Sequence, residues 1–193
     1  MPSEVLPAPS RKPRADAERN RLRLLEAARA AFASGGTGAS LEDIARSADV
    51  GIGTLYRHFP TRDALVGEVY RNEAEKLAAA ARQLADTQPP LDALRAWLLL
   101  FVDYLSTKLI LAEALRTMMC DTSELTRASV EQLTAAMLLL MDRARASGDI
   151  AASDADPLNL LRALGGVASA GPGWEPGARA MIDVLIKGMS ARA

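Results

Sequence analysis

The chain has almost no stretch that could form a β-strand. Val, Ile and Thr are too sparse to build runs in which apolar and polar residues alternate, which is the pattern of a half-buried strand. Leu and Ala dominate instead, aromatic residues make up only 4% of the sequence, and apolar residues recur at helical spacing. The 193 residues therefore predict an all-α protein of about nine helices, long enough for a compact head and a larger second domain.

The first residues differ from the rest in composition. Residues 1–15 contain four prolines and a basic cluster at positions 11–14, with little apolar surface to bury. We therefore expect them to form a flexible basic arm, with an inert tail as the alternative. Residues 16–34 have the apolar spacing of a first helix, which the glycine pair that follows should end.

Two short amphipathic segments separated by a tight turn come next. Ser40 is placed to cap the first, with Asp43 completing a capping-box pair, and Thr61 can cap a fourth helix from about 62 to 87. The apolar positions share helical spacing and are expected to face inward; they are Leu41, Ile44, Ala45 and Ala48, then Ile52, Leu55, Tyr56 and Phe59. The two segments predict a helix-turn-helix within residues 16–62.

The outward face of the second segment has chemistry suited to DNA. Arg57 can make two hydrogen bonds to guanine, the Thr54 methyl group can touch a thymine methyl, and Gly53 allows a close approach of the backbone. His58 lies on the same face. An ordinary solvated helix face is an equally good interpretation of these eight residues taken alone.

Residues 41–65, LEDIARSADVGIGTLYRHFPTRDAL, resemble the signature of the TetR family of bacterial transcriptional regulators. The resemblance implies that Thr54, Tyr56 and Arg57 lie near DNA, with Tyr56 and His58 at phosphates. It also implies a phosphate contact for Arg62, where the family usually has lysine, and a weaker role for Arg46. The alternative for Tyr56 is a core aromatic ring whose hydroxyl group emerges at the surface.

Two residues of the turn depart from the family pattern. Asp49 stands where glycine is usual, and Gly51 stands where serine or threonine is usual. Aspartate tolerates the left-handed backbone conformation, and glycine is an acceptable N-cap. We therefore expect the turn to form.

The fourth helix should link the head to a ligand-binding and dimerisation domain at residues 63–193. Turn signals divide the remainder of this domain into predicted helices at 91–107, 109–120, 123–147, 157–170 and 175–189. A set of adaptable apolar side chains could line a ligand pocket, namely Trp97, Phe101, Tyr104, Met118, Met137 and Met141. Plain core is the alternative for each of them. Polar residues that could orient a ligand are Asp103, Arg116, Asn159 and Arg162.

The last two predicted helices carry features of a subunit interface. Small residues cluster at 163–170, and an apolar series runs through Met181, Val184, Leu185 and Met189. In the TetR family the final two helices usually pair with those of a second subunit, so the resemblance implies a homodimer. An intramolecular helix pair is the alternative.

Several classes of protein are disfavoured. The chain has one histidine, His58, and one cysteine, Cys120, which predicts no catalytic triad, no metal site, no cofactor and no enzyme activity. It also lacks a signal peptide core and an apolar stretch long enough for a membrane, so we expect a cytoplasmic protein. Its net charge is −1, with an excess of +3 over residues 1–62 and of −4 over the remainder.

Together these features predict a sequence-specific transcriptional regulator that binds double-stranded DNA. By analogy with the family it should be a homodimer that represses from a palindromic operator and is released by a small apolar or amphipathic effector. The alternative is a helical ligand-binding protein or enzyme that retains a vestigial helix-turn-helix.

Overall fold

The computed structural model describes residues 12–117, 123–151 and 155–190. These residues are almost entirely helical, with a single isolated β-bridge between Ile150 and Ser190. The α-helices are α1 (Lys12–Gly35), α2 (Leu41–Ser47), α3 (Ile52–His58), α4 (Arg62–Thr87), α5 (Pro90–Thr117), α6 (Ser123–Ala146), α7 (Pro157–Ala168) and α8 (Glu175–Met189), and a short 3-10 turn spans Gly36–Gly38. The prediction of an all-α fold is confirmed.

The chain divides into two compact units, Met1–Leu65 and Val66–Ala193. The first contains α1, α2, α3 and the start of α4, and the second contains the remainder of α4 with α5 to α8. Helix α4 is therefore continuous across the division.

Two helices differ from the sequence prediction. Helix α1 begins at Lys12, inside the expected arm; Pro13 fits its first turn, where a backbone N–H would have no helical partner. Residues 1–11 lie outside the described residues. The break predicted near Lys108 is wrong, because α5 runs through it without interruption. No Pro or Gly interrupts this stretch, and its Ser and Thr residues lower helix propensity only slightly.

Three apolar faces meet in the first unit. Leu25, Phe32, Ile44 and Leu55 are buried where α1, α2 and α3 pack together. The Ser40 hydroxyl accepts a hydrogen bond from the Asp43 amide at 3.2 Å, which confirms the predicted cap. The carboxylate expected to complete a capping box is instead paired with Arg46 at 2.5 Å.

The starts of α3 and α4 also agree with the caps predicted from the sequence. Gly51 caps α3 with an extended backbone (φ −63°, ψ 141°) but has no side chain that could accept a hydrogen bond. The Thr61 hydroxyl accepts a hydrogen bond from the Ala64 amide at 3.1 Å at the start of α4. Asp63 lies in the first turn, where its charge is favourable to the helix dipole.

The turn between α2 and α3 depends on Asp49. Its backbone is left-handed, with φ at 51°, as the sequence suggested this residue could tolerate. Arg23 of α1 donates hydrogen bonds from Nη2 to the Asp49 carbonyl at 3.1 Å and to Oδ2 at 2.9 Å. The direction in which the chain enters α3 is thus fixed from α1.

Helix α5 is central to the second unit and packs against α6, α7 and α8. Its Trp97 is fully buried and donates a hydrogen bond from Nε1 to the Leu77 carbonyl of α4 at 2.8 Å. Two ion pairs join α5 to α8: Arg95 with Asp183 at 2.8 Å and Asp103 with Arg179 at 2.6 Å.

Asp49→Ala should lower the free energy of unfolding by about 1 to 2 kcal/mol, because alanine resists the left-handed conformation. Asp49→Asn is the matched control, because asparagine tolerates that backbone and removes only the charge. The Asp49 carboxylate is 96% exposed, so losing its ion pair should cost less than about 1 kcal/mol. Urea denaturation measures both values. Equal losses in the two variants would show that the ion pair, not the backbone conformation, stabilises the turn.

Candidate nucleic-acid interface and ligand cavity

Helix α3 presents a broader exposed face than its sequence pattern predicts. Leu55 and Phe59 are buried, as expected, but Ile52 is 38% exposed and Tyr56 is 45% exposed. The expectation that these two residues face inward is wrong. Helix α3 has only seven residues, and Leu55 and Phe59, four positions apart, attach it to the core. Ile52 and Tyr56 lie outside the buried stripe that these two residues define.

The exposed face combines an aromatic ring, a cation and open backbone. Tyr56 and Arg57 are exposed next to each other, Thr54 and His58 are half-buried at the edges, and Gly53 is exposed. A Cβ atom added to Gly53 would meet nothing within 4 Å, so packing within the chain does not require glycine there. The face can therefore offer hydrogen-bond donors and a close backbone approach to an external partner.

The three arginines predicted to meet DNA have different surroundings. Arg57 has no ion-pair or hydrogen-bond partner among the described residues. Arg46 is 77% exposed and pairs with Asp43 in the adjacent turn. Arg62 is partly buried, and its Nη1 donates to the carbonyls of Thr37 at 2.7 Å and Ala39 at 2.6 Å. No sequence pattern indicates that Arg62 stabilises the segment before α2, a role that its two carbonyl contacts show.

A cavity of about 370 Å³ lies between α5, α6 and α7 of the second unit. Most of its lining is apolar; the lining residues are Phe101, Tyr104, Leu105, Lys108, Leu109, Ala112, Val130, Leu133, Thr134, Leu158, Leu161, Arg162, Gly165, Ala168 and Ser169. This volume lies in the range of small-molecule sites.

The cavity only partly matches the predicted ligand-contact residues. Phe101 and Tyr104 line it, whereas Trp97, Met137 and Met141 are fully buried in the core and do not. Tight packing explains the difference, because side chains with almost no accessible surface have no face left for a ligand. Met118 lies outside the described residues, as do Met119 and Cys120.

Of the polar candidates, Arg162 lines the cavity and Asp103, Arg116 and Asn159 do not. Lys108 was not predicted to line the cavity, because the predicted break between helices fell at this residue. Continuous α5 brings Lys108 onto the wall that also carries Tyr104.

Aromatic rings connect the cavity wall to α4. The centroids of Trp97 and Phe101 are 6.0 Å apart, those of Phe101 and Tyr104 are 5.9 Å apart, and that of Tyr70 on α4 lies 6.2 Å from Tyr104. Burial raises the pKa of Tyr104 far above its ordinary value, and the neighbouring Tyr70 adds to the shift. Both effects favour the protonated hydroxyl group of Tyr104.

An apolar surface remains uncovered on α7 and α8. Val184 is 68% exposed and Met181 lies beside it on α8, while Gly166 is exposed on α7 and has no atom within 4 Å of an added Cβ. Leu185, part of the predicted apolar series, is half-buried instead.

Two kinds of feature are absent from residues 12–117, 123–151 and 155–190. No helix there is long and apolar enough to cross a membrane. Nor do His, Cys, Asp or Glu side chains in these ranges form a group of three that could hold a metal ion.

Comparisons with known proteins match both units. Residues 24–69 match a family model described as bacterial regulatory proteins of the tetR family, and residues 89–191 match the C-terminal domain of SbtR-like transcriptional regulators. The TetR regulator SCO0520 of Streptomyces coelicolor is 40% identical, with a TM-score of 0.77 over 90% of this chain and 99% of its own.

Two further solved structures resemble the chain. A TetR regulatory protein of Mycobacterium vanbaalenii is 31% identical, with a TM-score of 0.77 over 92% of this chain and 99% of its own. A γ-butyrolactone receptor described as ArpA-like is 23% identical, with a TM-score of 0.58 over 91% of this chain and 90% of its own. At that identity, the likeness concerns the fold alone.

Arg62→Ala should lower the free energy of unfolding by about 1 to 3 kcal/mol, because two carbonyls lose a charged donor. Arg57→Ala is the matched control and should change it by less than about 0.5 kcal/mol, because its side chain has no described partner. Chemical denaturation in the absence of DNA gives both numbers. Similar stability of the two variants would contradict a structural role for Arg62.

Proposed function

The chain belongs to the TetR family of bacterial regulatory proteins and is a DNA-binding transcriptional regulator, and from this premise we propose how it works. It represses transcription in the cytoplasm as a homodimer on a palindromic operator, and a small apolar or amphipathic molecule releases it. The alternative of an enzyme with a vestigial helix-turn-helix is set aside, because the matched family consists of regulators that act by binding DNA.

The exposed, unpartnered Arg57 on α3 is the observation that carries this proposal. We assign it to base edges in the major groove, where a guanidinium group can donate two hydrogen bonds to guanine. Thr54 lies on the same short helix, three residues earlier, and Gly53 leaves room for the groove wall.

The remaining polar groups suit the DNA backbone. Tyr56 is more exposed than the sequence predicted, so its hydroxyl can reach a phosphate without displacing any core residue. His58 and Arg46 at the margins of the two short helices are assigned the same role. Arg62 contributes mainly by holding the segment before α2, and only the donors left free by its two carbonyl bonds can reach phosphate.

The exposed surface of α7 and α8 supports the homodimer. Val184 and Met181 would be removed from water by a second copy of α8, and Gly166 would let two backbones approach closely. A two-fold dimer presents two copies of α3, and such symmetry is what a palindromic operator mirrors.

The cavity supports control by a ligand. Tyr104 lines it and contacts Tyr70 of α4, and α4 continues into the first unit. An effector changes DNA affinity only if it binds two conformations of the protein with different affinities. A hundredfold release from the operator requires about 2.7 kcal/mol of coupling.

Arg57→Ala should cost about 1 to 3 kcal/mol per half-site on the operator and relax the preference at one base pair. Arg82→Ala, which changes an exposed arginine of α4 in the second unit, is the control and should leave binding unchanged. Fluorescence anisotropy at several salt concentrations measures the affinity of each variant for the operator duplex and for a scrambled duplex. If Arg57→Ala weakens binding to the two duplexes in equal proportion, Arg57 does not read bases.

Val184→Arg should produce monomers, because a charge would then lie in the apolar dimer surface. Leu22→Arg changes an equally apolar, exposed residue of α1 and should leave the dimer intact. Sedimentation velocity at micromolar concentration separates the two outcomes, and circular dichroism verifies folding. A dimeric Val184→Arg variant would place the interface elsewhere.

A further inference from the structure

Among the described residues, the lining of the cavity between α5, α6 and α7 includes the cations Lys108 and Arg162 and no carboxylate. We propose that it binds small organic acids, with the apolar body against the buried wall and the carboxylate between Lys108 and Arg162. This inference rests on the proposed function only in taking the cavity to be the effector site, and it adds the charge that the effector carries.

The floor of the cavity selects an apolar body. Phe101, Leu133, Leu161 and Ala168 are buried side chains that line it. Apolar ligand surface that these side chains cover is removed from water, which favours binding. Leu109 is exposed and also lines the cavity, so its apolar wall extends to the entrance.

The margin selects a negative head. Lys108 is half-buried and Arg162 is exposed, and within the described part of the chain neither has an ion-pair partner. The acids Asp103 of α5 and Glu131 of α6 are not available, because each pairs with another arginine at 2.6 Å. An anion in the cavity would therefore meet two cations that no acid in the described part of the chain neutralises.

The helix dipole of α7 orients the ligand. Ser169 is the C-cap of α7, where backbone carbonyls give a partial negative charge. Arg162 lies seven residues earlier, about 10 Å along the axis at 1.5 Å per residue. A carboxylate beside Arg162 thus avoids the negative C-terminal end of α7, and the uncharged tail is directed toward that end.

The hydroxyl groups of the lining favour neutral contacts rather than a second charge. Thr134 donates its hydroxyl to the Val130 carbonyl at 2.7 Å, so its proton is already in use. Tyr104 remains neutral at physiological pH and can donate one hydrogen bond. These groups add no positive charge, so Lys108 and Arg162 supply the charge that distinguishes an acid from its ester.

The test uses three probes that share a ten-carbon chain and differ in the head group: decanoate, methyl decanoate and decylamine. Calorimetry measures their binding to the full-length dimer, and anisotropy measures operator release. Decanoate should bind best, and Arg162→Gln or Lys108→Gln should each weaken it about tenfold while leaving the ester unchanged. Arg82→Gln is the matched control, and Val130→Phe, which fills the cavity, should weaken acid and ester alike. Phenylbutyrate tests an aromatic body.

Equal affinity for the three heads, or full decanoate binding by the Lys108→Gln and Arg162→Gln double variant, would overturn the inference. Failure of both acids to bind at millimolar concentration would overturn it as well. Charge-dependent acid binding without operator release would leave the inference standing and refute ligand control through this cavity. Operator release by methyl decanoate but not by decanoate would overturn the inference and leave ligand control through this cavity standing.

Discussion

The burial of helix α5 is the constraint on which the second unit depends. Helix α5 packs against α6, α7 and α8 at once, and Trp97 adds a hydrogen bond to the backbone of α4. A buried indole N–H without a partner would be costly, so this bond fixes how α4 and α5 lie against each other. Because α5 is continuous, the same helix carries Trp97 in the core, Tyr104 in the cavity wall and Lys108 at the margin.

Arginine serves several physical purposes in this chain. Arg23 and Arg62 donate to backbone carbonyls and stabilise the two segments that flank α2. Arg95 and Arg179 join α5 to α8 through exposed ion pairs, which contribute modestly to stability. Within the part of the chain that the structure describes, Arg57 and Arg162 have neither kind of contact, and both side chains are exposed to external anions.

The fold was largely predictable from the sequence because its signals are local. The caps at Ser40 and Thr61 and the left-handed Asp49 depend on neighbours within a few residues. The errors arose where a neighbouring helix decides the outcome: Ile52 and Tyr56 have core-like spacing, yet two buried residues already anchor α3. The cavity was the least predictable feature, since Met137 and Met141 suit a pocket by composition and only packing against other helices shows that they are core.

The shortness of α3 has an evolutionary consequence. Leu55 and the cap residue Phe59 connect this helix to the core, while its exposed residues contribute little to stability. Substitutions on the exposed face should therefore be nearly neutral for folding and free to accumulate. A duplicated copy of the gene could acquire a new target sequence through few mutations, without first gaining stability elsewhere in the protein.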